Sequence, residues 1–375
     1  MKVILLGSAY PFRGGLAAYN ERLIQEFGLQ GHDASIITFT LQYPSIFFPG
    51  TTQYSSSEQP KDIEIERKLS SVNPISWMQT GKKIAQIKPD VLLIKYWLPF
   101  MAPAFGTVAR LAKRNKHTKV ICIVDNIIPH EPKFYDRIFT KWFVNSCDGF
   151  ITMSNTVLKD LAIFDRKKMR ASNPHPLFDN FGERISRSKA AEVLGLNPNN
   201  RYILFFGFIR DYKGLDLAIK AMDKLQKEYD NIHLIIAGES YTDAEKYKEM
   251  ISHELSNRIH WWNRFISDEE VTNFFSLADL VLQPYKKATQ SGITQIAYHF
   301  EVPMIVTNVG GLPELVPDGE CGIVVPPDEL EIAKGINRFY TEELHSGLTE
   351  GIRQYKLKFG WDRLVNTIID LSTKI

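Results

Sequence analysis

The 375 residues, 44% apolar and 23% charged, exceed what one ordinary core organises and exclude a disordered chain, so two globular domains are expected. The net charge of +2 hides an asymmetry: residues 1–178 hold 23 Lys+Arg against 14 Asp+Glu, net +9, and the remainder holds 22 against 29, net −7. No nucleic-acid partner is expected, and the basic front half is either a solvated face or the counterpart of an anionic partner such as a lipid phosphate or membrane surface.

In chain order, the opening Met1 to Gly7 is apolar for too few residues to be a signal peptide, and no run approaches the ~20 residues of a membrane helix. Cys122, Cys147 and Cys321 are odd in number and far apart, which fits neither a disulfide framework nor a metal knuckle. A cytoplasmic protein is expected, with peripheral contact at the inner face of the membrane as a candidate. Short β-branched runs at 3–6, 34–39, 91–95, 119–124 and 150–153 alternate with helical patterns, which predicts parallel βαβ units. After Gly14-Gly15, the residues Leu16, Tyr19, Leu23, Ile24 and Phe27 repeat at helical spacing until Gly28 and Gly31. The aromatic 43–48 and polar 55–59 stretches interrupt the pattern.

A proline-bearing segment, 174–200, precedes a second series of strands at 202–206, 233–237, 259–262, 280–283 and 303–307. The expected division is 1–178, a linker at 179–198, then a second domain, each domain Rossmann-like. Open sheets of this kind bind ligands at the carboxyl ends of their strands.

Three stretches of the second half carry chemistry. Phe206-Gly207 is followed by Arg210 and Lys213, two cations on the loop after a buried strand, suited to the charge of a departing diphosphate; an exposed basic loop beside Asp211 is the plainer alternative. Gln290-Ser291-Gly292-Ile293-Thr294 opens a helix, giving free N–H groups and hydroxyls for an anion, or simply a helix cap. Thr307 to Glu314 runs strand, Gly310-Gly311, then Pro313 at a helix start, which permits close backbone approach or serves only the turn. In the first half, Lys95-Tyr96-Trp97 ends a strand, and Tyr96 and Trp97 are candidates to stack an acceptor sugar, or to pack the core. The basic and aromatic set Arg110, Lys113, Arg114, Lys116, Lys119, Lys133, Arg137, Lys141 and Trp142 is a candidate anionic-lipid contact, or ordinary helix surface.

The order of these stretches resembles the family 4 retaining glycosyltransferases of the two-Rossmann GT-B architecture. The matching pieces are Gly14-Gly15 with Gly31-His32-Asp33, Gly207 through Gly214, Ala278-Asp279 through Tyr285, and Gly310-Gly311-Leu312-Pro313-Glu314 with Asp318-Gly319. The resemblance implies two facing domains with an interdomain cleft, an acceptor-binding first domain and a nucleotide-sugar-binding second domain at 199–355. It also implies a closing helix at 356–375 on the first domain, and Gly14, Gly15, Gly207, Arg210 and Lys213 at the donor. Two departures stand out. The family's paired glutamates near Gln290 are replaced by Ala288 and Ile296, which leaves Ser291, Gly292, Ile293 and Thr294 as backbone or hydroxyl contacts. The family's histidine is replaced by Asp125, a candidate base or stabiliser of an oxocarbenium-like centre, with His130 next in rank and Glu131 beside it.

No Asp-x-Asp pair is present, so no metal and no resident cofactor are expected; the co-substrate would be a nucleotide-diphosphate sugar. The expected activity is metal-independent transfer of a hexosyl or related glycosyl group in surface polysaccharide or lipopolysaccharide synthesis. A nucleotide-sugar epimerase of the same fold and a non-catalytic nucleotide-sugar-binding protein are the alternatives. A nicotinamide dehydrogenase is disfavoured, since neither half opens with Gly-x-Gly-x-x-Gly.

Overall fold

The structure, a computed structural model, describes residues 1–44, 52–55, 58–129, 133–225, 228–288 and 291–375. It divides into two compact units, Met1–Pro176 with Gly360–Ile375, and Leu177–Phe359.

The first unit runs β1 (Lys2–Leu6), α1 (Gly15–Leu29), β2 (Asp33–Leu41), β3 (Glu64–Ser70), α2 (Pro74–Ile87), β4 (Val91–Tyr96), α3 (Ala102–Ala112), β5 (Lys119–Val124), α4 (Asp136–Val144), β6 (Gly149–Thr152), α5 (Asn155–Phe164) and β7 (Met169–Ser172). The strands form one parallel sheet in the order β3-β2-β1-β4-β5-β6-β7. The direction of strand succession reverses between β1 and β4, the place where such sheets open a crevice at the strands' carboxyl ends. Helices cover both faces, so β4 is buried along its whole length, Lys95 included. The edge strands β3 and β7 escaped the sequence pattern because Glu-Ile-Glu-Arg-Lys-Leu-Ser and Met-Arg-Ala-Ser lack the apolar run of a central strand.

The second unit runs α6 (Arg187–Leu194), β8 (Arg201–Phe206), α7 (Leu215–Leu225), β9 (Ile232–Ala237), α8 (Glu245–Lys248), β10 (Ile259–Trp262), α9 (Asp268–Leu277), β11 (Leu280–Gln283), α10 (Gly292–His299), β12 (Met304–Thr307), α11 (Leu312–Leu315), β13 (Gly322–Val325), α12 (Glu329–Thr341) and α13 (His345–Tyr355). Its parallel sheet has the order β10-β9-β8-β11-β12-β13.

The segment expected as a linker, 179–198, is instead part of this unit. It contains α6, whose Arg187 guanidinium donates to both oxygens of Asp279 at 2.9 and 3.1 Å and to the Leu277 carbonyl. Asp279 also accepts the Tyr202 N–H at 2.7 Å, so one carboxylate fixes α6 to the start of β8. The last helix, α14 (Trp361–Lys374), belongs to the first unit. The chain passes into that unit at Gly360, four residues after the expected 356, because 356–359 is a short helical turn of the second unit. The Trp361 ring lies 5.0 Å from Tyr19 of α1, and Leu371 sits 3.3 Å from the place a side chain on Gly149 would take.

Candidate active site

In the second unit, β8 carries a buried apolar run to Gly207, whose φ of +92° few other residues adopt. A Cβ added there would lie 3.1 Å from Lys213 Nζ and 3.1 Å from Ile293 Cδ1. The glycine turn, the loop cation and the first turn of α10 therefore meet at one point, at the carboxyl end of the sheet. The loop closes through a short helical turn, 211–213, capped by Gly214 at φ +72°.

The acid beside the two cations is occupied elsewhere: Asp211 takes Lys246 and the Tyr247 hydroxyl. Among the described residues neither Arg210 nor Lys213 has a carboxylate partner. Arg210 lies 5.0 Å from the Tyr241 ring and Lys213 Nζ 5.6 Å from that of Tyr285. Lys213 keeps some solvent access, yet protein surrounds it so closely that desolvation, and then the Arg210 charge, pull its pKa down to about 8. Two cations on one packed loop, without a carboxylate partner among the described residues, are chemically suited to hold an anion.

The start of α10 supplies the other wall. Gly292 has no room for a side chain, since a Cβ would come 2.9 Å from Phe178 Cε2. Ser291 is buried with its hydroxyl 3.3 Å from that of Tyr285. Thr294, expected to offer its hydroxyl to a ligand, is sealed in the core and donates to Gln283 Oε1 at 3.2 Å. What α10 presents is backbone N–H groups of its first turn and the positive end of its dipole. Gln290 lies outside the described residues. Gly310, φ +54°, packs so tightly that a Cβ would fall 1.5 Å from the Ala288 carbonyl oxygen. Ile296, where the family's second glutamate would stand, is buried.

In the first unit, Gly14 at φ +99° precedes α1 with open space around it, so its requirement is conformational. Gly15 begins the helix, exposed and without a side-chain cap at Gly14, whose carbonyl accepts the Ala17 and Ala18 N–H groups. Asp125 follows β5 and accepts from Lys95 Nζ at 2.8 Å. Lys95 itself is 1% exposed, with Nζ 3.2 Å from the centre of the Tyr19 ring. Desolvation lowers the Lys95 pKa, against which the Asp125 charge acts. His175 packs 5.0 Å from Tyr19, and burial, then the Lys95 charge, hold its pKa down to about 3, so it is neutral. Asp125 is thus half of a buried ion pair. The sequence reading missed that partner because Lys95 reads as the polar break of an apolar strand. His130 and Glu131 lie outside the described residues.

One expectation for the acceptor is corrected by burial. Tyr96 is fully buried, stacked 4.6 Å from Phe143 with its hydroxyl 3.0 Å from Thr140, and cannot stack an acceptor. Trp97 keeps partial exposure, but its indole N–H donates to the Tyr43 hydroxyl at 2.7 Å and its ring packs on Phe39 and Phe105. The basic set is also partly engaged inward. Arg110 donates to the carbonyls of Gly106 and Trp142, Lys113 pairs with Asp148, and Lys141 donates to the Phe164 carbonyl. No described helix is long and apolar enough to cross a membrane, and no three described His, Cys, Asp or Glu side chains are placed to hold a metal ion.

Residues 186–356, most of the second unit, match the family described as glycosyl transferases group 1. The whole chain is similar to an uncharacterized glycosyltransferase of Methanocaldococcus jannaschii, 23% identical over 99% of this chain and 97% of the relative. It is also similar to the N-acetyl-alpha-D-glucosaminyl L-malate synthase of Bacillus anthracis, 21% identical over 94% and 92%. Among solved structures, the Anabaena HepE protein in complex with UDP and glucose superposes with a TM-score of 0.73 at 16% identity, covering 100% of both chains.

Proposed function

Because this chain belongs to the glycosyl transferases group 1 and has the paired parallel α/β units of the GT-B fold, we propose that it is a retaining enzyme. It moves a sugar from a nucleotide-diphosphate donor to a saccharide or lipid-linked acceptor in surface polysaccharide or lipopolysaccharide assembly. The observation that carries the donor side is the meeting of Lys213, Gly207 and the start of α10, with Arg210 on the same loop near enough to act on the Lys213 charge and both cations without carboxylate partners among the described residues. As the bond from sugar to phosphate lengthens, negative charge grows on the pyrophosphate. The Arg210 fork can hold two of its oxygens, Lys213 is a point charge, and the α10 N–H groups face the same place. Charge neutralisation then needs no metal, so the expected outcome of chelator treatment is unchanged turnover.

Retention follows from the resemblance: the acceptor hydroxyl attacks on the face the phosphate leaves, and a phosphate oxygen takes its proton. Asp125 lies within the first unit at the carboxyl end of the sheet, and its carboxylate stabilises the developing positive charge of the sugar. Lys95 orients that carboxylate. The UDP in the Anabaena structure makes UDP-sugars the first donors to try.

The test is a thermal-shift screen of UDP-, GDP- and ADP-sugars followed by turnover with candidate acceptors. A donor that stabilises the chain and releases free nucleotide only when acceptor is present supports transfer, and anomeric analysis of the product by NMR reports retention. Conversion of the donor sugar without nucleotide release would instead make the enzyme an epimerase.

A further inference from the structure

We propose that the exposed face of α4 and the turn leading into it form a docking surface for an anionic lipid bilayer. The helix is amphipathic in an unusual sense. Asp136, Thr140, Phe143 and Val144 point into the first unit, as a packed helix requires. The outward face carries large apolar groups as well: Phe134 is 93% exposed, Ile138 69% and Trp142 38%. Ile138 and Trp142 stand four residues apart on the helix and so share one face, and Phe134 lies on the turn four residues before Ile138. Single exposed apolar residues are ordinary, but an aligned set on one helix marks an interaction site.

Trp142 is held in place rather than loose. Gly106 of α3 leaves room for the indole, since a Cβ there would come 2.2 Å from Trp142 Cζ3. Arg110 lies 3.8 Å from the ring centre and donates to the Trp142 carbonyl at 2.6 Å. A tryptophan fixed at the end of an exposed apolar stripe is suited to the boundary between headgroups and acyl chains.

The charges beside the stripe select the occupant. Lys133 and Arg137 are exposed along it, while the acid of the same segment, Asp136, is buried and accepts the Lys133 N–H at 2.7 Å. Lys141 is turned inward to the Phe164 carbonyl. A second copy meeting this face about a two-fold axis would set Lys133 and Arg137 against their own images, which opposes self-association. An anionic headgroup layer neutralises both while the apolar stripe enters the acyl boundary. The structure thus places the contact on α4, away from Lys113, which is already paired. The inference does not depend on the acceptor: lipid binding is read with no sugar present.

The test uses the intact chain in flotation with vesicles of phosphatidylglycerol and phosphatidylcholine, against phosphatidylcholine alone. Binding to the anionic vesicles, weakened by salt, is expected. The double substitution Phe134→Ser/Ile138→Ser should reduce partition by at least about tenfold, since both groups would otherwise enter the bilayer boundary. Arg137→Glu should reduce it on anionic vesicles alone. Because the three native cysteines are buried, Phe134→Cys can be labelled with an environment-sensitive dye, whose blue shift on vesicles reports insertion at that residue. The substituted groups are exposed, so unchanged circular dichroism and thermal midpoint are expected. The proposal is overturned by an intact chain that ignores anionic vesicles, or by equal partition of the double variant. It is overturned equally if the intact chain dimerises through this face in light scattering and the double variant does not.

Discussion

Lys213 and Arg210 illustrate how a few ångströms turn a sequence pattern into chemistry. Replacing either with Ala is expected to lower kcat/KM for the donor by at least about tenfold, the scale of one charge-assisted contact worth roughly 1.5–3 kcal/mol. The pH dependence has a definite sign. The Lys213 pKa of about 8 lies below the ordinary lysine value of about 10.4, so the cation is present below pH 8 and lost as pH rises through it. Donor kcat/KM should fall above about pH 8, and Lys213→Arg, always charged, should flatten that alkaline limb. In the unliganded protein the linkage runs the other way: the native site holds the proton less tightly than the unfolded chain. Lys213 therefore costs stability below pH 8, and the cost is relieved as pH climbs from there toward the unfolded value. Lys213→Met should accordingly raise the thermal midpoint near neutral pH while abolishing donor binding. The buried pair of Lys95 and Asp125 behaves differently. Lys95→Met leaves a carboxylate without its ammonium and should lose about 3–5 kcal/mol in denaturant unfolding, whereas Asp125→Asn should lower mainly kcat. A change in KM alone for Asp125→Asn would assign that residue to binding.

At the scale of elements, the turns that join them are fixed by glycines whose roles differ although their φ angles are alike. Gly195 and Gly214 sit at φ +67° and +72°. A Cβ on Gly195, at the end of α6, meets nothing within 4 Å, while one on Gly214 would fall 1.9 Å from the Pro284 carbonyl oxygen. Gly195→Ala should cost only the left-handed penalty of about 1–2 kcal/mol. Gly214→Ala must also displace the backbone after β11 and with it the loop bearing Lys213, so donor affinity and thermal midpoint should fall together. The periodicity of these elements was readable: α1, the central strands of both sheets and the glycine turns all follow from spacing. The glycine contacts were not, because the atoms that crowd Gly214 and Gly310 come from residues 70 and 22 positions away in the chain.

At the scale of the molecule, α14 closes the first unit. Trp361, Leu364, Val365, Ile368 and Leu371 are buried, and the helix lies on α1, β5, β6 and β7. Removing 361–375 would expose those faces, and the truncated chain is expected to lose its first unit's cooperative unfolding transition, read by thermal denaturation and by proteolysis within 1–176. An unaltered transition would show that the helix contributes little to that unit. The fold class was legible because strands and helices alternate twice over the chain, but the membership of 179–198 in the second unit was not. Prolines and polar residues at 174–200 imitate a linker, and what ties α6 to the second unit comes from residues some 90 positions distant, the bonds of Arg187 to Leu277 and Asp279 among them.

By themselves the residues determined what is local and periodic: two parallel α/β units, the loop cations after a buried strand, the glycines of the turns, and the family pattern that their order makes. Tertiary structure decided what depends on partners far apart in the chain. It withdrew Tyr96 and Thr294 from the site by burying them, gave Asp125 an ammonium partner, left Arg210 and Lys213 without carboxylates among the described residues, and turned Phe134 and Ile138 outward. The physical reason is that burial and charge pairing belong to the assembled packing, and one residue type in one pattern can lie on either side of that surface.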